Sequence, residues 1–176
     1  MKKVIAIVAA LVVVLGVFAA CGGEKATEIT PYEGTLEDLT AKLYEVQPVE
    51  FMVGPAMQVD FADEYAPKTY LGVESTELFK EATWSESMIG AQAYSLVLAR
   101  VSDTAKLEEL KNAMFNGIDT RKWICVEADQ LRVVSSGDII MLIMVSSELA
   151  PGVADGMVEA FKQSVGELSG ETLTRG

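Results

Sequence analysis

Few residues of this chain could do chemistry. Arg121-Lys122-Trp123 is the one adjacent basic pair outside the first three residues, and an indole follows it directly. Arginine offers a planar fork to a carboxylate or other small anion, and tryptophan an apolar wall, so the three form a candidate binding site. The competing use is internal. Arg121 would pair with Asp119 or Glu127 while Trp123 and Cys125 alternate into the core, and ion pairs and buried aromatics being commoner than sites, this is the expected arrangement. Asp60, Asp63 and Glu64 crowd together as a cation site or the paired carboxylates of a hydrolase would. They lack the alternation and central glycine of a calcium loop, so a solvated acidic loop is expected. Trp84, beside Ser85 and Glu86, is expected as an inward strand residue. Cys125 sits in an apolar run without a nearby base and reads as a buried, inert thiol. The chain has no histidine, which removes the commonest general base, the usual serine and cysteine triads and most zinc sites. No catalytic residue, metal-ligand set or cofactor motif emerges, and an enzyme is not expected.

The surroundings in which these residues work are set by the first twenty-one. Lys2-Lys3 precede 17 residues without a polar side chain, Val4 to Ala20, and then Cys21-Gly22-Gly23. A cationic start, an apolar run and small residues before a cleavage point are the parts of an export signal. With its cysteine directly after Ala19-Ala20, the segment resembles a bacterial lipoprotein signal, in which a lipid-modified Cys21 becomes the first mature residue. An uncleaved membrane helix is the alternative, since the run is at the lower limit for spanning a bilayer. Two acyl chains, of the palmitate kind, would hold the protein firmly where one is marginal. The expected location is the extracytoplasmic face of the cell membrane, lipid-anchored.

Charge narrows the partners. Loss of Lys2 and Lys3 with the signal takes the formal net charge from −12 to −14. Such a surface repels phosphate backbones and anionic headgroups, so nucleic acid is excluded and the membrane must be held through the lipid on Cys21. With Cys21 acylated, Cys125 has no disulfide partner, and stability rests on core packing.

The expected organisation is a signal peptide at 1–20, a lipidated tether at 21–34, one domain at 35–168 and a polar tail at 169–176. Thr35 and Asp38 form a capping-box variant before Leu36, Leu39 and Leu43, which predicts a helix ended by Pro48. Val49 to Phe61 reads as a hairpin or one interrupted strand, and Ser75 as a possible helix cap. Ala82 to Ile89 and Ala93 to Val101 read as strands around Gly90, followed by a helix capped by Asp103 with Leu107, Leu110, Met114 and Ile118 on one face. After a strand-like piece at Ile124 to Ala128 the order repeats: a strand at Leu131 to Ser135, a turn at Ser136-Gly137-Asp138, a strand at Ile139 to Val145, and a helix after Pro151 stopped by Gly166. The predicted fold class is α+β: a largely antiparallel sheet of four to five strands in two successive strand-strand-helix units, with two or three helices packed on one face. Ile139 to Val145, which has no polar face, belongs at its centre.

Arg121-Lys122-Trp123-Ile124-Cys125-Val126, with Tyr70-Leu71-Gly72, Ser87-Met88 and the apolar strand at Ile139, resembles the domain of unknown function numbered 4358. The resemblance spans roughly Leu36 to Phe161. It implies a short Gram-positive lipoprotein with a single α+β domain, and supplies no catalytic residues. The function expected is that of a lipid-anchored binding or protein-interaction module of the cell envelope, with a possible envelope protein as partner. Alternatives are a small-molecule carrier with one pocket near Trp123 and, least expected, a carboxylate-dependent hydrolase.

Overall fold

The computed structural model describes residues 30–176. The signal at 1–20, Cys21 and the tether up to residue 29 lie outside the described residues. The first element, α1 (Leu36–Val46), begins where the Thr35 hydroxyl accepts the Asp38 N–H at 3.1 Å, and it ends ahead of Pro48. Strand β1 (Met57–Gln58) and a π-helical turn (Pro67–Leu71) follow, then β2 (Phe79–Glu86) and β3 (Tyr94–Val101). Asp103 accepts the Ala105 N–H at 2.9 Å, capping a short 3₁₀ turn that continues into α2 (Leu107–Gly117). The remaining elements are β4 (Gln130–Ser136), β5 (Ile139–Val145), α3 (Val153–Val165) and β6 (Leu173–Arg175).

The six strands form one antiparallel sheet in the order β1-β2-β3-β5-β4-β6. The α+β class with an antiparallel sheet is therefore as the periodicity predicts, and β5 lies inside the sheet with all seven residues buried. Gly137 holds φ at 60° in the two-residue turn between β4 and β5, as a type II′ hairpin requires of its first position.

The helices do not share one face. Successive residues of β3 and β5 alternate between two cores. Val97, Ala99, Ile140, Leu142 and Met144 meet Leu107, Leu110 and Met114 of α2 on one side. Leu96, Leu98, Ile139, Met141 and Ile143 meet Leu36, Leu39 and Leu43 of α1 and Met157 and Phe161 of α3 on the other. The reason is in β5 itself: a strand apolar at every position needs cover on both sides.

Other expectations are corrected at the margins. Residues 30–34 are not free tether, because Arg100 donates to the carbonyls of Tyr32 (2.9 Å) and Gly34 (2.6 Å) and Asp138 accepts the Tyr32 N–H (2.9 Å). The segment 169–176 is no tail. Its β6 pairs with β4, and Lys111, fully buried, donates to the carbonyls of Ser169 and Glu171. Val49 to Phe61 makes only the short β1 and an isolated bridge from Val53 to Ser87. No helix follows Ser75, where the chain runs into β2. Ile124 to Ala128 is irregular loop.

One polar chain crosses the helix-rich core. The Tyr94 hydroxyl donates to Tyr44 at 3.2 Å, Tyr44 meets the Ser85 hydroxyl at 2.8 Å, and Ser85 donates to the Gly54 carbonyl at 2.7 Å. Burial raises the Tyr94 pKa well above its ordinary value, the neighbouring Tyr44 adding to this, and burial raises Tyr44 as well. Both phenols stay neutral in the fold at a pH where the unfolded chain ionises them. Their contribution is thus complete below about pH 10 and is lost as pH rises through their folded values. The urea midpoint is expected to fall more steeply with pH above about 10 in the native chain than in the Tyr44→Phe, Tyr94→Phe double variant, and equal slopes would remove these two groups from the alkaline transition.

Candidate functional site

Two glycines bring the site's elements together. Gly72, at φ 70°, ends the π-helical turn, and Gly117 ends α2 against it; a Cβ on Gly117 would lie 2.0 Å from the Gly72 carbonyl oxygen. No other residue allows that approach. It places Tyr70 beneath the loop that runs from Ile118 to Asp129, between α2 and β4.

Within this loop the three sequence candidates part company. Lys122 turns inward, its side chain 9% exposed, and its ammonium pairs with the Glu86 carboxylate at the end of β2. It also lies 3.3 Å from the Thr69 carbonyl and from the Ser95 hydroxyl, and 4.6 and 5.4 Å from the ring centres of Tyr70 and Trp123. Tyr70 in turn stacks on Trp84 with centroids 4.6 Å apart. Burial lowers the Lys122 pKa, and the Glu86 carboxylate opposes that shift. Lys122 is therefore an anchor. It cannot join Arg121 in a two-cation anion site.

Arg121 turns outward, its side chain 77% exposed, and meets Glu127 at 3.3 Å. Asp119 holds the local turn instead, accepting the Arg121 N–H at 2.9 Å. Trp123 packs against the α2-side core while lining an open cleft of about 420 Å³ with Arg121, Cys125, Val126 and Glu127. Cys125 corrects the expectation of a buried thiol. It is exposed at φ 65°, a conformation no strand contains, and this turn breaks the alternation that would have carried it inward. Ile124 projects beside it at 83% exposure.

The loop closes on itself and on the sheet. Ala128 N–H donates to the Thr120 carbonyl at 2.9 Å, and the Asp129 carboxylate accepts the Ser147 N–H at 2.6 Å. Hydrogen bonds from the Ser147 side chain and backbone hold the Asp129 pKa below the usual carboxylate range. A second cleft of about 380 Å³ adjoins the first, sharing Cys125, Val126 and Glu127 and adding Asp129, Ser147 and Glu148.

Two of the upstream acidic trio, Asp60 and Asp63, are used by their own backbone. Asp60 accepts the Ala62 N–H, and Asp63 accepts those of Tyr65 and Ala66, which keeps the Asp63 pKa low. Among the described residues no group of three or more acidic, cysteine or histidine side chains could hold a metal ion. Sequence reasoning missed the roles of Tyr70, Glu86 and Ser95 beneath the loop. Tyr70-Leu71-Gly72 stood out only as a motif, and nothing local marks Glu86 as the partner of a lysine in another hairpin's approach. Compared with protein-family models, with curated proteins and with solved structures, the chain finds no match.

Removing one member of a buried ion pair leaves the other uncompensated, whereas replacing both is far less costly. Glu86→Gln is accordingly expected to destabilise the domain by about 3–5 kcal/mol, with much of the loss recovered when Lys122→Met is added. Additive losses in a denaturation cycle would show that the two charges are not coupled.

Proposed function

We propose that this protein is a lipid-anchored binding module of the cell envelope, held at Cys21 on the extracytoplasmic face of the membrane and working through the loop from Ile118 to Asp129. What carries the reading is the disposition of the two ends of the sheet. Residues 30–34 join the domain at the end formed by Arg100, Gly137 and Asp138. The exposed loop, with Arg121, Trp123 and Ile124, lies toward the other end, where Lys122 meets Glu86 and Ser95 and Asp129 meets Ser147. The length of β5 separates them by about 20 Å. A module anchored through Cys21 thus presents its binding loop away from its tether, which supports a partner in the envelope rather than the bilayer surface. Irregular connections of about a dozen residues inside a compact domain are characteristically binding or catalytic elements, and this one carries no catalytic set. Membership of the domain of unknown function 4358 family is part of the same proposal and adds no activity.

A second reading, a small-molecule carrier, is favoured by one observation, the cleft of about 420 Å³ beside Trp123. That volume falls at the small end of ligand pockets.

In the native envelope, the wild-type chain is expected in the membrane fraction with a diacylglyceryl-modified Cys21 at its N-terminus by mass spectrometry, and Cys21→Ser without the lipid. A photo-crosslinker at Ile124 should give a discrete adduct that one at Glu45, on α1, does not. An unmodified Cys21 behind an intact Met1 would overturn the anchoring, and identical crosslinking from both positions would overturn the role of the loop.

A further inference from the structure

The cleft beside Trp123 has a cation and an anion on its rim, and these are neighbours. Arg121 and Glu127 face each other at 3.3 Å with side chains 77% and 61% exposed. An ion pair so open to water contributes little, typically less than about 1 kcal/mol. A ligand bearing both charges can therefore replace it at small cost and gain a charge-assisted hydrogen bond at each end. A lone carboxylate would gain only one of them, against the repulsion of Glu127 and of a chain with formal net charge −12. A lone amine would meet Arg121. The charge pattern thus selects a ligand that is neutral overall and polar at one end.

The spacing narrows the class. In an α-amino acid one carbon separates the ammonium from the carboxylate, so both can reach a cation and anion that already touch. Trp123 and Val126 supply apolar surface beside them. The site is also fixed before any ligand arrives. Lys122 is pinned by Glu86 on one side of Trp123, Ala128 bonds Thr120 across the base of the loop, and Asp129 is held by Ser147. A loop held at its feet loses little freedom on binding, and only the Arg121 and Glu127 side chains need to reorganise.

We propose that this cleft binds a free α-amino acid with an apolar side chain, its carboxylate on the Arg121 guanidinium, its ammonium on Glu127 and its side chain against Trp123. The proposal rests on the carrier reading of the cleft and gives that reading its ligand class.

Titration calorimetry of the full-length folded protein with three probes that share one ring tests it: L-phenylalanine, 3-phenylpropanoate and phenethylamine. L-phenylalanine is expected to bind, with each single-charge probe at least about tenfold weaker. Arg121→Gln and Glu127→Gln should each weaken L-phenylalanine by a similar factor. Both positions are exposed, so unchanged melting temperatures without ligand keep such losses interpretable. Binding of 3-phenylpropanoate as tightly as L-phenylalanine, indifferent to Glu127→Gln, would overturn the zwitterion proposal and leave a carrier for anions standing. Neither heat nor a melting shift from any of the three at millimolar concentration would overturn the carrier reading with it.

Discussion

The pairing of β3 with β5 is the constraint from which the rest of the structure follows. Leu96 lies opposite Ile143, Leu98 opposite Met141 and Ala99 opposite Ile140, and none of these side chains reaches water. An apolar strand pair of this kind cannot leave one face solvated as antiparallel sheets commonly do. Each side must be roofed. On one side α1 and α3 lie together, and Val49, Phe51 and Val53 of the segment after α1 pack against the same core. On the other α2 stands without a second helix, and side chains of irregular segments close the remaining ground: Val59, Phe61 and Val73 about the π-helical turn, and Trp123 and Val126 of the Ile118 to Asp129 loop. The loop's position is a consequence of covering the second face, and its candidate site inherits that position.

The irregular segments are held by buried cations, one mechanism repeated at separate places. Arg100, with its side chain 12% exposed, binds Glu81 and Asp138 and fastens residues 32–34. Lys122 fastens the loop to β2 and β3. Lys111, supported by Glu108, and Arg132, supported by Asp155, hold the last residues along β4 through the carbonyls of Ser169, Glu171 and Arg175. Pairs of this sort add little net stability because desolvation offsets attraction, but a misplaced segment would leave a bare charge in the interior. Their contribution is to define where each segment lies. A chain so rich in acidic residues thereby places several of its few cations where each selects a register.

What was legible in the sequence was whatever leaves a periodic trace. The caps at Thr35 and Asp103, the turns at Gly90 and Gly137 and the long apolar strands all carry local signals, and each forms near where its signal stands. The edge strands β1 and β6 do not, being short, exposed and joined to the sheet by backbone bonds that any sequence can make. The inward turn of Lys122 was hidden because its partners, Glu86 and Ser95, come from strands laid beside one another only by the fold. Cys125 was misread because alternation was extended through a residue at φ 65°. The sides taken by the helices were a different matter, since the fully apolar β5 already demanded two roofs. The repeated strand-strand-helix order suggested likeness where the covering of β5 required opposition.

That opposition bears on how the two units are related. β3 and β5 are antiparallel neighbours, each internal to its own hairpin, with β2 and β4 outside them. The rotation that exchanges two antiparallel neighbours in a sheet is a twofold axis normal to that sheet, and such a rotation keeps every helix on the face where it began. α2 and α3 lie on opposite faces. No twofold therefore maps one unit onto the other, and the connection after β3 crosses to the face that the connection after β5 does not take. The shared order of elements thus does not extend to a shared arrangement in space. The asymmetry also has a local result: α3 has α1 beside it, with Val49, Phe51 and Val53 filling in around them, while α2 has no second helix beside it and leaves room for Trp123 and the adjoining cleft.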